Sequence, residues 1–75
     1  MNITVTAGSW ARAWLPGGKV QIELPCCAAA QDVLTALAFP AEEVGLFAIN
    51  GIAVSNDAPL SDGDIVRLFP IAMGG

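Results

Sequence analysis

A chain of 75 residues holds one domain and one modest core. Hydrophobic residues make up 55% and charged residues only 13%, which excludes disorder and leaves more apolar side chains than so small a core hides, so an exposed apolar patch with a partner to cover it is expected. The net charge of −4, with Arg12, Lys19 and Arg67 as the only basic side chains, argues against nucleic acid and anionic membranes as partners, and the lack of histidine removes histidine catalysis and histidine-bound metals.

No apolar run approaches the ~18 residues of a membrane span, and "MNITVTAG" lacks a basic segment leading into a hydrophobic stretch. The expected location is therefore cytoplasmic. "NITVT" alternates Ile3 and Val5 with Asn2, Thr4 and Thr6, the period of a half-buried strand. "SWARAWLPGG" offers Ser9 as an N-cap, one or two helical turns carrying Trp10, Ala13 and Trp14, and a Pro-Gly-Gly stop. Trp10 and Trp14 are spaced to cap one end of a core. "KVQIEL" alternates again and places Val20, Ile22 and Leu24 on one face.

Cys26 and Cys27 are adjacent. Neighbouring Cα atoms stand ~3.8 Å apart, below the ~4.4–6.8 Å span of a relaxed disulfide, so a bridge between them would be strained. Nothing nearby completes a redox or metal motif, and the pair reads as small packing residues before a helix.

"AAAQDVLTALAFP" predicts a helix, with Ala30, Val33, Leu34, Leu37 and Ala38 on one stripe, Asp32 near its positive end and Pro40 closing it. "LFAINGIAV" reads as a hairpin turning at Asn50-Gly51. "SNDAPLSDGD" is loop, with Leu60 as a plug and Gly63 in a turn. Asp57, Asp62 and Asp64 lack the spacing and bidentate Glu of a calcium loop and read as solvated carboxylates. "IVRLFP" is the last strand, with Val66 and Leu68 toward the helix and Ile65, Arg67 and Phe69 on the other side. Apolar residues on both faces argue for a central position, and Pro70 ends the pairing. The order strand, strand, helix, strand, strand, strand describes an α+β roll, a mixed sheet of about four to five strands with one main helix on one face. Its first and last strands lie side by side at the centre.

"AINGIAV", "PLSDGDIVRLFP" and the terminal "GG" resemble the ubiquitin-like β-grasp sulfur carriers. That family includes the small subunit of molybdopterin synthase and the sulfur carrier of thiazole biosynthesis. The resemblance covers the whole chain in element order and is most specific over residues 48–75. It implies a β-grasp domain over residues 1–70 and a flexible diglycine tail over residues 71–75. "SWARAWLPGG" looks more like the molybdopterin-type carriers, which place a short helix there. Ile71-Ala72-Met73 departs from them, since they tend to repeat proline at that point.

The resemblance also implies a chemistry. An E1-like adenylating enzyme uses ATP to convert the Gly75 carboxylate to an acyl-adenylate. Sulfur, supplied by a cysteine desulfurase or rhodanese-like protein, displaces AMP and leaves a thiocarboxylate. The chain is then a co-substrate with no cofactor of its own and no catalytic side chain, paired with a larger synthase subunit. Gly74 and Gly75 keep the end slim enough for a narrow channel. An uncharged segment from Ile71 to Gly75 costs little to desolvate. Ordering it costs roughly 1–2 kcal/mol per residue, which burial of apolar anchors at about 1.5–3 kcal/mol each would offset. Phe69, Ile71 and Met73 are the anchors available, with Arg67 and Pro70 beside them on the partner-binding surface.

Three other readings stand beside this one. The same carboxylate could form isopeptide bonds, making the chain a protein modifier. The fold could be a β-grasp binding module with an inert, frayed end. A self-contained enzyme is the weakest reading, because no nucleophile, base and oxyanion donors can be assembled.

Overall fold

The computed structural model describes residues 1–71, in which five strands form one sheet and a single short α-helix lies on one face. The strands are β1 (Asn2–Ala7), β2 (Lys19–Glu23), β3 (Val44–Ile49), β4 (Ile52–Val54) and β5 (Ile65–Pro70), and the helix is α1 (Asp32–Leu37). Their order across the sheet is β2-β1-β5-β3-β4. Strand β5 runs parallel to β1, with Val5 opposite Val66, and antiparallel to β3, with Phe47 opposite Leu68. This is the ubiquitin-like β-grasp roll that the sequence predicts, and its first and last strands are adjacent.

The alternating strands divide the sheet into two faces. Ile3 and Val5 of β1, Phe47 of β3, and Val66 and Leu68 of β5 point to the helix side, where they join Val33, Leu34, Phe39 and Leu60 in one core. Leu60 is the plug expected of its loop. Ala11 and Leu15 close the core beneath the segment between β1 and β2, and both are fully buried. Trp10 meets the Phe39 ring edge-on with centroids 5.7 Å apart, and Trp14 lies tilted on it at 4.7 Å.

Two local expectations are corrected by the backbone. Ser9 does not cap: it is the first residue of a short 3-10 turn, Ser9–Ala11, preceded by Gly8, and no side chain caps that turn. The inward positions are consequently Ala11 and Leu15, while Ala13 is exposed. The second correction concerns the helix. Only Asp32–Leu37 is α-helical, because the preceding backbone is committed to the loop before β5. The Ala30 N–H donates to the Ala58 carbonyl, the Gln31 N–H to the Asn56 carbonyl, and the Leu60 N–H to the Ala28 carbonyl. Ala29 also bridges Pro59. Backbone groups bound across the chain cannot serve an i→i−4 ladder.

Asp32 does more than favour the macrodipole. Its carboxylate accepts a 2.7 Å bond from the Ala29 N–H, three residues back, and so ties the incoming chain to the first residue of the helix. At the other end the helix stops before Pro40 can act. Ala38 adopts a left-handed φ of 53° and is exposed, off the buried stripe, and the Phe39 N–H donates to the Leu34 carbonyl.

The Asn50-Gly51 turn has φ of +51° and +87°, as a type I′ hairpin requires. Asn50 also ties this turn to the start of β5. Its Oδ1 accepts from the Ile65 N–H and its Nδ2 donates to Asp64 Oδ1, both at 3.0 Å. Asp64 Oδ2 accepts from the Ser61 N–H, and Asp62 Oδ1 accepts from the Asn2 N–H. Asp62 and Asp64 therefore hold backbone in place, and the Asn-Gly and Asp-Gly-Asp motifs act as a clasp that seats the last strand.

Candidate functional site

The face of the sheet opposite the helix has two unlike halves. Register places Thr4, Thr6, Lys19, Gln21 and Glu23 on its β1–β2 half, which is polar. The β5–β3–β4 half carries Ile65, Arg67 and Phe69, with Leu46 directly opposite Phe69, Ala48 opposite Arg67 and Ala53 beyond Ala48. Leu46 and Ile65 are exposed at 43% and 49%. Ala48 is buried yet stands outside the helix-side core, as a small residue overlaid by its larger neighbours should. This is the apolar patch that composition predicts.

Arg67 does not break that patch. Its guanidinium lies over the Phe69 ring, 5.6 Å from the centroid. Such a contact is worth about 0.5–1 kcal/mol at an exposed site, and it spreads the charge over the patch as a flat, weakly hydrated plate. Phe69 is half-buried by its neighbours.

Strand β5 ends at Pro70, which pairs with Val44, and the chain then passes to Ile71, exposed at 45%. The sequence-predicted partner residues Arg67, Phe69, Pro70 and Ile71 thus lie along one strand and its exit, with Arg67 and Phe69 on the apolar face. Met73, Gly74 and Gly75, the remaining predicted site residues, lie outside the described residues. Leu46 and Ala48 were not singled out from the sequence. The alternation in "VGLFAI" hints at their face, but only the β3–β5 register brings them beside Phe69.

A cavity of about 730 Å³ opens between α1 and β3 and reaches the β3 edge, lined by Leu34, Phe39, Leu46, Phe47 and Val54 among others. Its acidic group, Asp32, is occupied by the Ala29 N–H, so the groove assembles no reactive constellation. Cys26 and Cys27 are both exposed free thiols, which corrects their reading as packing residues. The turn they occupy points them outward, with Cys27 at a left-handed φ of 73°. Among the described residues no helix is long and apolar enough to cross a membrane.

Fold and face together define a ubiquitin-like β-grasp protein with an apolar patch along its last strand. Residues 10–75 match the family model described as the ThiS family, and the chain belongs to that family of ubiquitin-like sulfur carriers. Among solved structures, it is similar to a protein assigned as molybdopterin converting factor subunit 1 from Pyrococcus furiosus, with 28% identity, a TM-score of 0.79, and coverage of 96% of this chain and 99% of that one. It is similar to SAMP1 from Haloferax volcanii, with 20% identity, a TM-score of 0.80 and full coverage of both chains. A complex of subunits 1 and 2 of molybdopterin-converting factor from Helicobacter pylori contains a chain similar at 22% identity, with a TM-score of 0.66 and full coverage of both. The last two likenesses, at low identity, establish the fold alone. No curated protein sequence matches.

Proposed function

We propose that this protein is a sulfur carrier, adenylated at the Gly75 carboxylate and converted to a thiocarboxylate that donates sulfur in cofactor biosynthesis, with a molybdopterin-type pathway favoured over thiamine thiazole. The observation that carries this reading is the continuity of the apolar face with the strand leading to the terminus: Phe69 belongs to the patch, and Ile71 is two residues further along the exit. A partner that covers Leu46, Ile65 and Phe69 thereby lies beside the point where the chain leaves β5. The family match runs through residue 75, and the likeness to the Pyrococcus furiosus subunit supports the molybdopterin branch.

In this reading a carboxylate oxygen of Gly75 attacks the α-phosphorus of ATP and pyrophosphate leaves. A persulfide on the sulfur donor then attacks the acyl carbon and AMP leaves, and a second thiol attacks the donor-side sulfur of the resulting acyl disulfide, forming a disulfide and releasing the thiocarboxylate. ATP is held by the E1-like enzyme, the carrier binds no cofactor, and the partners are that enzyme, a sulfur donor and a larger synthase subunit, all in the cytoplasm. Water must be excluded while the adenylate exists, and an apolar docking face does this better than a charged one. Glycine at the last two positions lets the main chain approach the nucleotide without a Cβ in the way.

Incubation with an adenylating enzyme, ATP and a sulfur donor, followed by intact mass, tests the proposal. One oxygen exchanged for sulfur is the expected result, and deletion of Gly75 abolishes it. Absence of pyrophosphate release from the chain ending at Gly75 would refute it. The modifier reading uses the same Gly75 carboxylate, and covalent adducts with other proteins in place of the sulfur exchange would select it.

A further inference from the structure

Where β5 gives way to the last residues, the neighbouring strand carries a glycine. The β3–β5 register is irregular between Val44 and Leu46, and Gly45 is the residue at the irregularity. A Cβ built on Gly45 would stand 2.7 Å from Ile71 Cα, 2.8 Å from the Pro70 carbonyl oxygen and 3.1 Å from the Ile71 nitrogen. All three are main-chain atoms, so no side-chain rotation relieves the overlap. Gly45 differs here from Gly17, Gly51 and Gly63, whose φ angles are left-handed and whose surroundings are open. Those glycines serve turns, whereas Gly45 serves a close approach of two backbones.

We propose that Gly45 is a positioning residue for the C-terminal segment: its missing Cβ lets the Pro70–Ile71 main chain lie against β3 and so sets the direction in which the chain leaves the apolar face. The inference rests on the reading of Gly75 as the reactive end. Its consequence lies in where the reach of the last residues begins. Residues 72–75 span at most ~13–14 Å beyond Ile71. A shift of the main chain at Ile71 moves the origin of that reach, while reacting atoms must stand within ~3–3.5 Å and a ~1 Å error can cost ~100-fold. Leu46, next to Gly45, belongs to the docking face, so docking and direction are set by adjacent residues of one strand.

Gly45→Ala in the full chain tests this, because its φ demands no glycine and the contact alone is altered. Wild type and variant are compared by the affinity for an adenylating enzyme, the single-turnover rate of pyrophosphate release at saturating carrier, and amide chemical shifts. The expected result is a dissociation constant within about threefold of wild type, a rate at least tenfold lower, and shifts that move at Ile71 to Gly75 but not in Asp32–Leu37. An unchanged rate, or a loss confined to affinity, overturns the proposal. If wild type itself releases no pyrophosphate, the proposed function fails while the shifts still decide the role of Gly45: unmoved amides at Ile71 to Gly75 overturn it.

Discussion

Leu46→Ala gives the most direct test of the docking face. The side chain is 43% exposed, so a partner can remove only that share from water. Burying a whole leucine contributes about 1.5–3 kcal/mol, and the available share is therefore about 0.6–1.3 kcal/mol. Loss of all of it corresponds to a roughly three- to ninefold weaker complex, the upper limit for alanine, which keeps its Cβ. The control is Ile52→Ala. Ile52 is more exposed, at 69%, but it pairs with Ile49 on the helix side at the sheet edge. Isothermal titration calorimetry against an adenylating enzyme, run well below the melting temperature of each variant, reads both. Weakening by Leu46→Ala with no effect of Ile52→Ala is the expected pattern. The reverse pattern, or equal effects, would show that exposure and not position on the β5–β3 face governs docking.

Three further predictions concern the scaffold. Asn50→Gly keeps the left-handed turn but removes the bonds to Ile65 and Asp64, at about 0.5–1.5 kcal/mol each, so thermal unfolding should shift down by at least ~4 °C; an unmoved midpoint would dismiss the clasp. Phe39→Ala empties the site against which Trp10 and Trp14 pack, at a cost of about 3–5 kcal/mol, and tryptophan emission of the folded variant should move to longer wavelength. Asp32→Ala removes the bond to the Ala29 N–H and should cost about 0.5–2 kcal/mol in denaturant unfolding, with Asp32→Asn recovering most of it because an acceptor oxygen remains. Equal losses in the two variants would mean that charge, and not the bond, is what Asp32 supplies.

The candidate site was legible in proportion to how local its determinants are. Arg67 and Phe69 could be assigned to one face because alternation along "IVRLFP" is a property of neighbours, and their opposites Val66 and Leu68 are indeed fully buried. Leu46 and Gly45 could not be assigned in the same way. Their roles come from lying beside Phe69 and Ile71, residues far along the chain. The helix shows the same division. Its apolar spacing is correct for Val33 and Leu34, but the stretch before Asp32 is held by the loop at Ser55–Leu60, a contact that no helical period announces.

Sequence alone determined the strands, the turns at Asn50-Gly51 and Gly63, the single helix and the excess of apolar surface, because each depends on torsional preference or spacing within a few residues. Tertiary structure alone decided where α1 begins, which half of the outer face is apolar, and that Gly45 makes room for the exit from β5. Those outcomes depend on the register of strands distant in sequence, which emerges only when β5 is seated between β1 and β3 and the whole core closes around it.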